Sequence, residues 1–510
     1  MKTIETIGLT KKYGEFVAND HIDLSVEEQE IKCIVGENGA GKTTLMNMLY
    51  GLLEPTEGKI LIREKEVRLK NPIDAMENGI GMVHQHFKLV PSLTVFENIM
   101  LGIEIKKGLL INKKEEIKKV EELIGKYKFE LNPMDKIEDI SVGSRQRVEI
   151  LKMLYRNVDI LILDEPTAVL TPQEVKELIV NLKDLKKHGK TIIIITHKLQ
   201  EVMEVSDSVT VIKAGKVIAN RKTKDTDEQE LAQLMVGRNV VLTVKNEHMD
   251  RRTGEVLYEV KKLSTVNGFG KKAVDGISFQ VHKGEILGIA GVEGNGQSEL
   301  VKLMSGLMTA TEGTVYFHGR EITNSWPDQL RKEGIGMIPE DRYAQGLCRD
   351  MSIADNCIAG YQGSPEVCKR GILNRKSIKA KRNRFLADFD IRTGDADGNV
   401  SSLSGGNAQK LIVARELSAC PQVLIACQPT RGVDIGSIEF IHRQLIKYRE
   451  EGNAVILISS ELTEILSLSD SVIVMYKGRI SGEINPQDAN TMKIGLLMAG
   501  INNEEEEKKA

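Results

Sequence analysis

At 510 residues the chain is too long for a single hydrophobic core, so two or more domains are expected. Lys and Arg (70) nearly balance Asp and Glu (73), which excludes the broad basic field of a general nucleic-acid binder. No apolar run approaches the ~18–20 residues of a membrane span, and the six cysteines lack C-x-x-C spacing and read as reduced packing thiols. The start, Met1 to Thr6, has no apolar signal core, so the chain is expected to stay in the cytoplasm with any membrane contact peripheral.

Taken in order, Ile31-Lys32-Cys33-Ile34-Val35 reads as a short buried strand, and Thr44 to Leu49 as the first turns of a helix. Between them, Gly36-Glu37-Asn38-Gly39-Ala40-Gly41-Lys42-Thr43 fits G-x-x-x-x-G-K-[ST]. Glycines let such a backbone curl until successive N–H groups converge on phosphate oxygens, and the helix N-terminus adds its dipole. Lys42 is then expected to reach the β- and γ-phosphates, with the Thr43 hydroxyl on Mg²⁺. This loop should bind a nucleoside triphosphate.

Lys59 to Ile62 reads as a further strand, followed by a Lys/Glu-rich helical middle. Two near-continuous apolar runs come next, Ile160 to Leu163 and Thr191 to Ile195, which suit a parallel sheet buried on both faces and hence an α/β fold. The first run ends on Asp164 and Glu165. Asp164 suits the outer shell of Mg²⁺, and Glu165 suits polarising an attacking water. His197, after the second run, is a candidate γ-phosphate contact. Gln85 is a candidate sensor of Mg²⁺ and water, whereas His84 and His86 beside it read as surface polar residues.

The chain then repeats itself. Gly36, Gly58 and Gly81 stand opposite Gly291, Gly313 and Gly336 at one constant offset; Ser141, Asp207 and Gly215 stand opposite Ser404, Asp470 and Gly478 at a slightly larger one. Two homologous halves follow, the second with a short net insertion between Met337 and Ser404. The boundaries expected are a first domain over 1–240, a polar linker over 241–255, a second domain over 256–500 and a solvated charged tail over 501–510.

Ordered as Tyr13, Gly36 to Thr43, Gln85, Ser141-Val142-Gly143, Asp164-Glu165 and His197, the first half resembles an ABC ATPase domain. In the second half, Leu403-Ser404-Gly405-Gly406-Asn407 resembles the ABC signature at a helix N-terminus. The resemblance covers nearly the whole chain. It implies two tandem P-loop ABC ATPase domains, each a mostly parallel sheet core with a helical subdomain, and ATP and Mg²⁺ as ligands. Two such domains in one chain look like the ATP-binding subunit of sugar-type bacterial importers. The wording of His84 to Pro91 and Cys427 to Asp434 looks like the nucleoside-uptake branch, with guanosine as an example of the cargo; a monosaccharide such as ribose or galactose is the alternative. Implied partners are two integral-membrane permease subunits, contacted by Phe87 to Glu97 and the stretch near Asp341-Arg342, and indirectly an extracytoplasmic solute-binding lipoprotein. Nucleic acid is not an expected partner, and the implied location is the cytoplasmic face of the bacterial cell membrane.

The resemblance further implies that each nucleotide lies between one domain's phosphate loop and the other's signature. Tyr13 would stack on adenine, the backbone from Gly36 through Gly41 with Lys42, Thr43 and Thr44 would hold the phosphates, and Mg²⁺ would sit on Thr43, Gln85 and Asp164. Glu165, with His197, Gln85 and Lys42, would do the chemistry, capped by Ser404, Gly405, Gly406 and Asn407. The losses segregate. The second half has Gln297 for the lysine, Cys427-Gln428 for Asp164-Glu165, Ser460 for His197, Glu340 for Gln85 and Gly268 for Tyr13. The first half's own signature is eroded at Val142 and Ser144, and Thr171 stands where the second half has Asp434. One hydrolytic and one degenerate site are expected. A tandem ABC protein acting on ribosomes or DNA, the rival from another class, would carry two intact sites or zinc-ligand cysteine pairs.

Overall fold

The computed structural model describes residues 2–84, 87–107, 110–167, 170, 172–239, 241, 244, 246, 254–266, 270, 272–292, 294–486, 491–498 and 500. It forms two compact units, Met1–Val240 and Val241–Ala510. Gln85, His86, most of the polar stretch at 245–252 and the charged tail lie outside the described residues.

The first unit opens on two antiparallel strands, β1 (Lys2–Tyr13) and β2 (Phe16–Glu27). Ile22, Leu24 and Val26 of β2 are buried between exposed neighbours, the period of a strand with one dry face. Then come β3 (Ile31–Val35), α1 (Lys42–Leu49), β4 (Glu57–Ile62), β5 (Lys65–Val67) and β6 (Ile80–Val83). Helix α1 starts two residues ahead of the turn expected from Thr44, because Lys42 and Thr43 already wind into it behind Gly41. The helical middle includes Lys113–Tyr127 and α2 (Val142–Tyr155). After it run β7 (Ile160–Asp164), α3 (Pro172–Lys187), β8 (Thr191–Ile195), β9 (Ser208–Lys213) and β10 (Lys216–Lys222).

Two sheets result. One is antiparallel in the order β2-β1-β4-β5; the other runs β10-β9-β3-β8-β7-β6 and is parallel except for the β9–β10 hairpin. Every residue of β3, β7 and β8 is buried, as continuous apolar runs in a doubly covered parallel sheet require. The loops after β3, β7 and β8, three adjacent parallel strands, emerge at their carboxyl ends, where open α/β sheets bind ligands.

The second unit repeats the plan with β11 (Val256–Val266), β12 (Lys272–His282), β13 (Ile286–Ala290), α4 (Gln297–Met304), β14 (Glu312–Phe317), β15 (Arg320–Glu321) and β16 (Ile335–Ile338). It continues with α5 (Gly405–Leu417), β17 (Val423–Cys427), α6 (Ile435–Glu450), β18 (Ala454–Ser459), β19 (Ser471–Tyr476) and β20 (Arg479–Ile484). Its sheets follow the same orders, β12-β11-β14-β15 and β16-β17-β18-β13-β19-β20. Among the described residues, no helix is long and apolar enough to cross a membrane, and all six thiols are unpaired.

The strand that carries each phosphate loop is anchored at its start by an aspartate. Ile31 N donates to Asp207 Oδ2 and Ile286 N to Asp470 Oδ2, each at 2.8 Å. The two carboxylates are balanced differently. Asp207 takes Lys186 Nζ at 2.6 Å in a pair open to water, whereas Asp470 takes the guanidinium of Arg449 with both side chains buried. Asn246 Nδ2 also donates to Asp470 Oδ1 at 3.1 Å, and Asn246 N to Ser467 O at 2.9 Å. Within the stretch expected to be a polar linker, Asn246 is therefore packed and buried.

Stripping the carboxylate from a buried pair strands the other charge, whereas a surface pair can be replaced by water. Asp470→Ala should cost ~3–5 kcal/mol in urea unfolding and Asp207→Ala about 1–2 kcal/mol. Equal losses would show that Arg449 finds another counterion.

Candidate functional site

The loop after β3 is shaped by close backbone approaches. A Cβ on Gly36 would lie 2.1 Å from Ile212 O in β9, and Gly41 has φ +99° with its Cβ position 2.5 Å from Ala18 O. No side chain fits either place without moving the backbone. Ala40 N donates to Glu37 O at 3.1 Å, closing the turn, while Asn38 and Gly39 stay exposed. Lys42 is buried, and its Nζ donates to Gly36 O at 2.7 Å and Glu37 O at 2.9 Å. Thr43 is exposed and Thr44 half-buried in the first turn of α1. Asn19, which no motif marks, donates from Nδ2 to Gly41 O at 3.1 Å from β2. Its one mark is burial: it is fully buried while the other polar residues of β2 lie open or half-open.

The carboxylates stand at the ends of two paired strands. Asp164 closes β7 opposite Ile195 of β8, and the next residue, Glu165, turns away at φ +45° with its N donating to Ile195 O at 2.9 Å. His197 Nδ1 lies 3.0 Å from Glu165 Oε1. Burial, then the charge of Glu165, pushes the Asp164 carboxyl up to about 6, with Lys42 pulling against them. Burial also acts to raise Glu165, but the His197 bond, with the charges of His197 and Lys42, outweighs it and holds this carboxyl below its usual value. Burial lowers Lys42, opposed by Glu165, Asp164 and Glu37. So Lys42, Asp164, Glu165 and His197 form one electrostatic cluster.

A hard cation fits this cluster. The Thr43 hydroxyl and the Asp164 carboxylate are oxygen donors of the kind Mg²⁺ takes, and the raised Asp164 group lacks a cation sufficient to offset its burial. Gln85, the third expected ligand, lies outside the described residues. Tyr13 ends β1 half-exposed, with Lys11 Nζ 5.5 Å from its ring centroid. Phe16 faces it across the hairpin and is 66% exposed, a second open ring that no sequence motif marks. His84 is half-buried and meets Tyr50 edge-on at 6.1 Å, which corrects its reading as a surface residue.

The second unit keeps this geometry and changes the chemistry. Gln297 is buried and folded over its loop, Nε2 lying 2.3 Å from a Cβ position on Gly291. Ser298 Oγ donates to Glu340 Oε2 at 2.6 Å, and Arg431 Nη1 to Glu340 Oε1 at 3.2 Å. Gln428 has φ +46°, matching Glu165, and its Oε1 accepts from Ser460 Oγ at 3.2 Å where the first unit has a carboxylate on a histidine. Burial pushes the Cys427 thiol far up, leaving a neutral soft sulfur at the place of Asp164.

Ser404 caps α5, accepting from Asn407 N at 3.4 Å and Asn407 Nδ2 at 2.9 Å. A Cβ on Gly406 would sit 2.3 Å from Asp434 Oδ2, so a larger residue there must push the Asp434 and Ser437 side chains aside. Arg342 holds this end of the helix, donating to Gly405 O at 3.0 Å and to Arg431 O at 2.6 Å. Ser404, Gly405, Gly406 and Asn407 belong to the second unit, and Lys42, Asp164, Glu165 and His197 to the first.

The model of the ABC transporter family matches residues 19–168 and 274–431. The chain is similar to the nucleoside import ATP-binding protein NupA of Lactococcus lactis subsp. cremoris, 46% identical with 98% of each chain covered. It is also similar to the guanosine import ATP-binding protein NupO of Bacillus subtilis, 45% identical with 98% of each covered. With the ribose import ATP-binding protein RbsA of Yersinia pestis the identity is 37%, over 98% of this chain and 97% of that one.

Asp164 titrates near 6 folded against 3.8 unfolded, so the folded protein binds this proton more tightly, and stability falls as pH rises through that window. Asp164→Asn removes the penalty. In metal-free buffer at pH 7.5 it should raise the unfolding free energy by ~2–3 kcal/mol at most, and Tm with it, with the gain vanishing below about pH 4. A lower Tm at pH 7.5 would contradict the assignment.

Proposed function

The chain belongs to the ABC transporter family, and we propose that it is the ATP-hydrolysing subunit of a bacterial nucleoside importer. Hydrolysis is assigned to the first unit. The observation that carries this is the ionised Glu165 hydrogen-bonded to His197 beside Asp164 and the Lys42 loop, against a neutral Gln428–Ser460 pair at the matching place. Nucleosides are favoured over ribose or galactose by the higher identity to the two nucleoside-import relatives and by the local sequences at 84–91 and 427–434. Import relatives matched along their whole length weigh against a ribosome- or DNA-directed factor.

In the proposed mechanism Tyr13, with Phe16 beside it, stacks on the base. The loop amides from Gly36 to Thr44 and the Lys42 ammonium hold the β- and γ-phosphates. Thr43, Asp164 and Gln85 would hold Mg²⁺, which when bound neutralises charge on those phosphates. Glu165 accepts the proton of the attacking water, and its lowered pKa keeps it ionised for that task at neutral pH. His197 orients this carboxylate and donates toward charge growing on the γ-phosphate. Ser404, the Gly405 and Gly406 amides and Asn407 are proposed to supply the remaining donors from the second unit. Binding ATP favours the closed state and hydrolysis releases it. The chain works at the cytoplasmic face of the membrane against two integral-membrane permease subunits, through which passes the cargo delivered by an extracytoplasmic solute-binding lipoprotein.

Glu165→Gln should slow ATP turnover by about 10²–10⁴-fold, while Gln428→Glu leaves it near wild type because Cys427 still offers no hard ligand and Gln297 no positive charge to the transferring phosphoryl group. In cells, Glu165→Gln should abolish uptake of labelled guanosine and spare labelled ribose. Selective loss of ribose uptake would move the cargo to sugars. Loss of neither, with ATPase abolished, would overturn the importer assignment.

A further inference from the structure

The two signature helices differ in what sits on their N-terminal donors. In the first unit, Glu174 of α3 reaches the start of α2: Gly143 N donates to its Oε1 at 3.0 Å, and Ser141 Oγ donates to the same oxygen at 3.2 Å. The side chain fills the space as well as the bonds. A Cβ on Gly143 would meet Glu174 Oε1, Cδ and Cγ at 2.6, 2.8 and 2.9 Å. Ser141 is the N-cap of the 14-residue α2, so the carboxylate lies where a helix dipole favours an anion.

The second unit has the same helices and a different residue. Ser437 occupies on α6 the place of Glu174 on α3, third in each helix. It turns back on its own cap, its N donating to Asp434 Oδ1 at 2.8 Å and its Oγ to Asp434 Oδ2 at 2.9 Å. A carboxylate does stand nearby, Asp434 Oδ2 lying 2.3 Å from a Cβ position on Gly406, but Ser437 holds it, and among the described residues no hydrogen bond ties it to Ser404 Oγ or Gly406 N as Glu174 is tied to Ser141 and Gly143.

We propose that Glu174 decides which signature helix can engage a nucleotide, by holding the serine hydroxyl and glycine amide of the first unit's signature with a carboxylate in the place of a nucleotide's terminal phosphate. A γ-phosphate brought to Ser141 and Gly143 meets a like charge already bound there, so it must displace a charge-assisted bond and bear the repulsion. Glu174 is then a selectivity residue. It removes the first unit's signature from nucleotide binding, while Gln297, Cys427 and Gln428 remove catalysis from the second unit's loop. The inference rests on the ATPase reading above.

The test uses the full chain in the non-hydrolysing Glu165→Gln background, with radiolabelled Mg–ATP and rapid filtration. Glu165→Gln alone should retain about one ATP per chain, and the double variant with Glu174→Ser should approach about two, with Glu174→Gln between them. Glu174→Ser by itself should keep the wild-type far-ultraviolet circular dichroism spectrum, which verifies its fold. A stoichiometry that stays at one in both double variants would overturn the role of Glu174. If Glu165→Gln alone retains no ATP, the ATPase reading fails instead.

Discussion

A buried ammonium facing two carboxylates is the constraint on which the first unit's chemistry depends. Lys42 is taken out of water by the loop that holds it, and its nearest satisfied bonds are to the carbonyls of Gly36 and Glu37. Asp164 and Glu165 offset the burial of that charge, and Lys42 in turn offsets part of theirs. Glu165 is resolved by the histidine beside it. Asp164 remains raised, the state of a group arranged for a cation. Lys42 and Glu165 thus support each other's charge, while Asp164 bears a burial penalty that a bound cation would relieve, so lysine, carboxylates and histidine serve as one set around a bound ligand.

They are lost together in the second unit. Gln297 replaces the ammonium, Cys427 and Gln428 the carboxylates and Ser460 the imidazole, and each replacement is neutral. The backbone is retained: Gln428 keeps the left-handed turn of Glu165, and Gly296 at φ +98° matches Gly41 at +99°. A scaffold can thus outlast its chemistry, because the turns are set by glycines and strand register while the charges serve the reaction. What the second unit keeps charged lies elsewhere, in Arg342 on the carbonyls around its signature and in Glu340 between Ser298 and Arg431.

Much of this was legible from residue order. Apolar runs ending on Asp164 and before His197 located adjacent parallel strands, and the glycine-rich loop located the helix that follows β3. The fold class followed from a period of apolar positions that admits few alternatives. Asn19 and Glu174 were not legible, because each acts across a distance in sequence that no local pattern spans, Asn19 on Gly41 and Glu174 on Gly143, while Phe16 shows its place beside Tyr13 only once the hairpin pairs them. For Glu174 a signal did exist in the mismatch with Ser437, but its meaning needs the approach of α3 to α2. Asn246 shows the converse, a polar residue in an unpatterned stretch that is nonetheless buried, because Asp470 and two carbonyls supply its partners.

The account's central claim is that all hydrolysis belongs to the first unit. Its most direct test is vanadate trapping of a photoactivatable Mg–ATP analogue by the full chain, followed by cleavage between the units and assay of which fragment carries the label. Trapping requires a completed hydrolytic step, so the account predicts label in the fragment containing Lys42 and Glu165 and none above background in the fragment containing Gln297 and Gln428. Equal label in both fragments would contradict it.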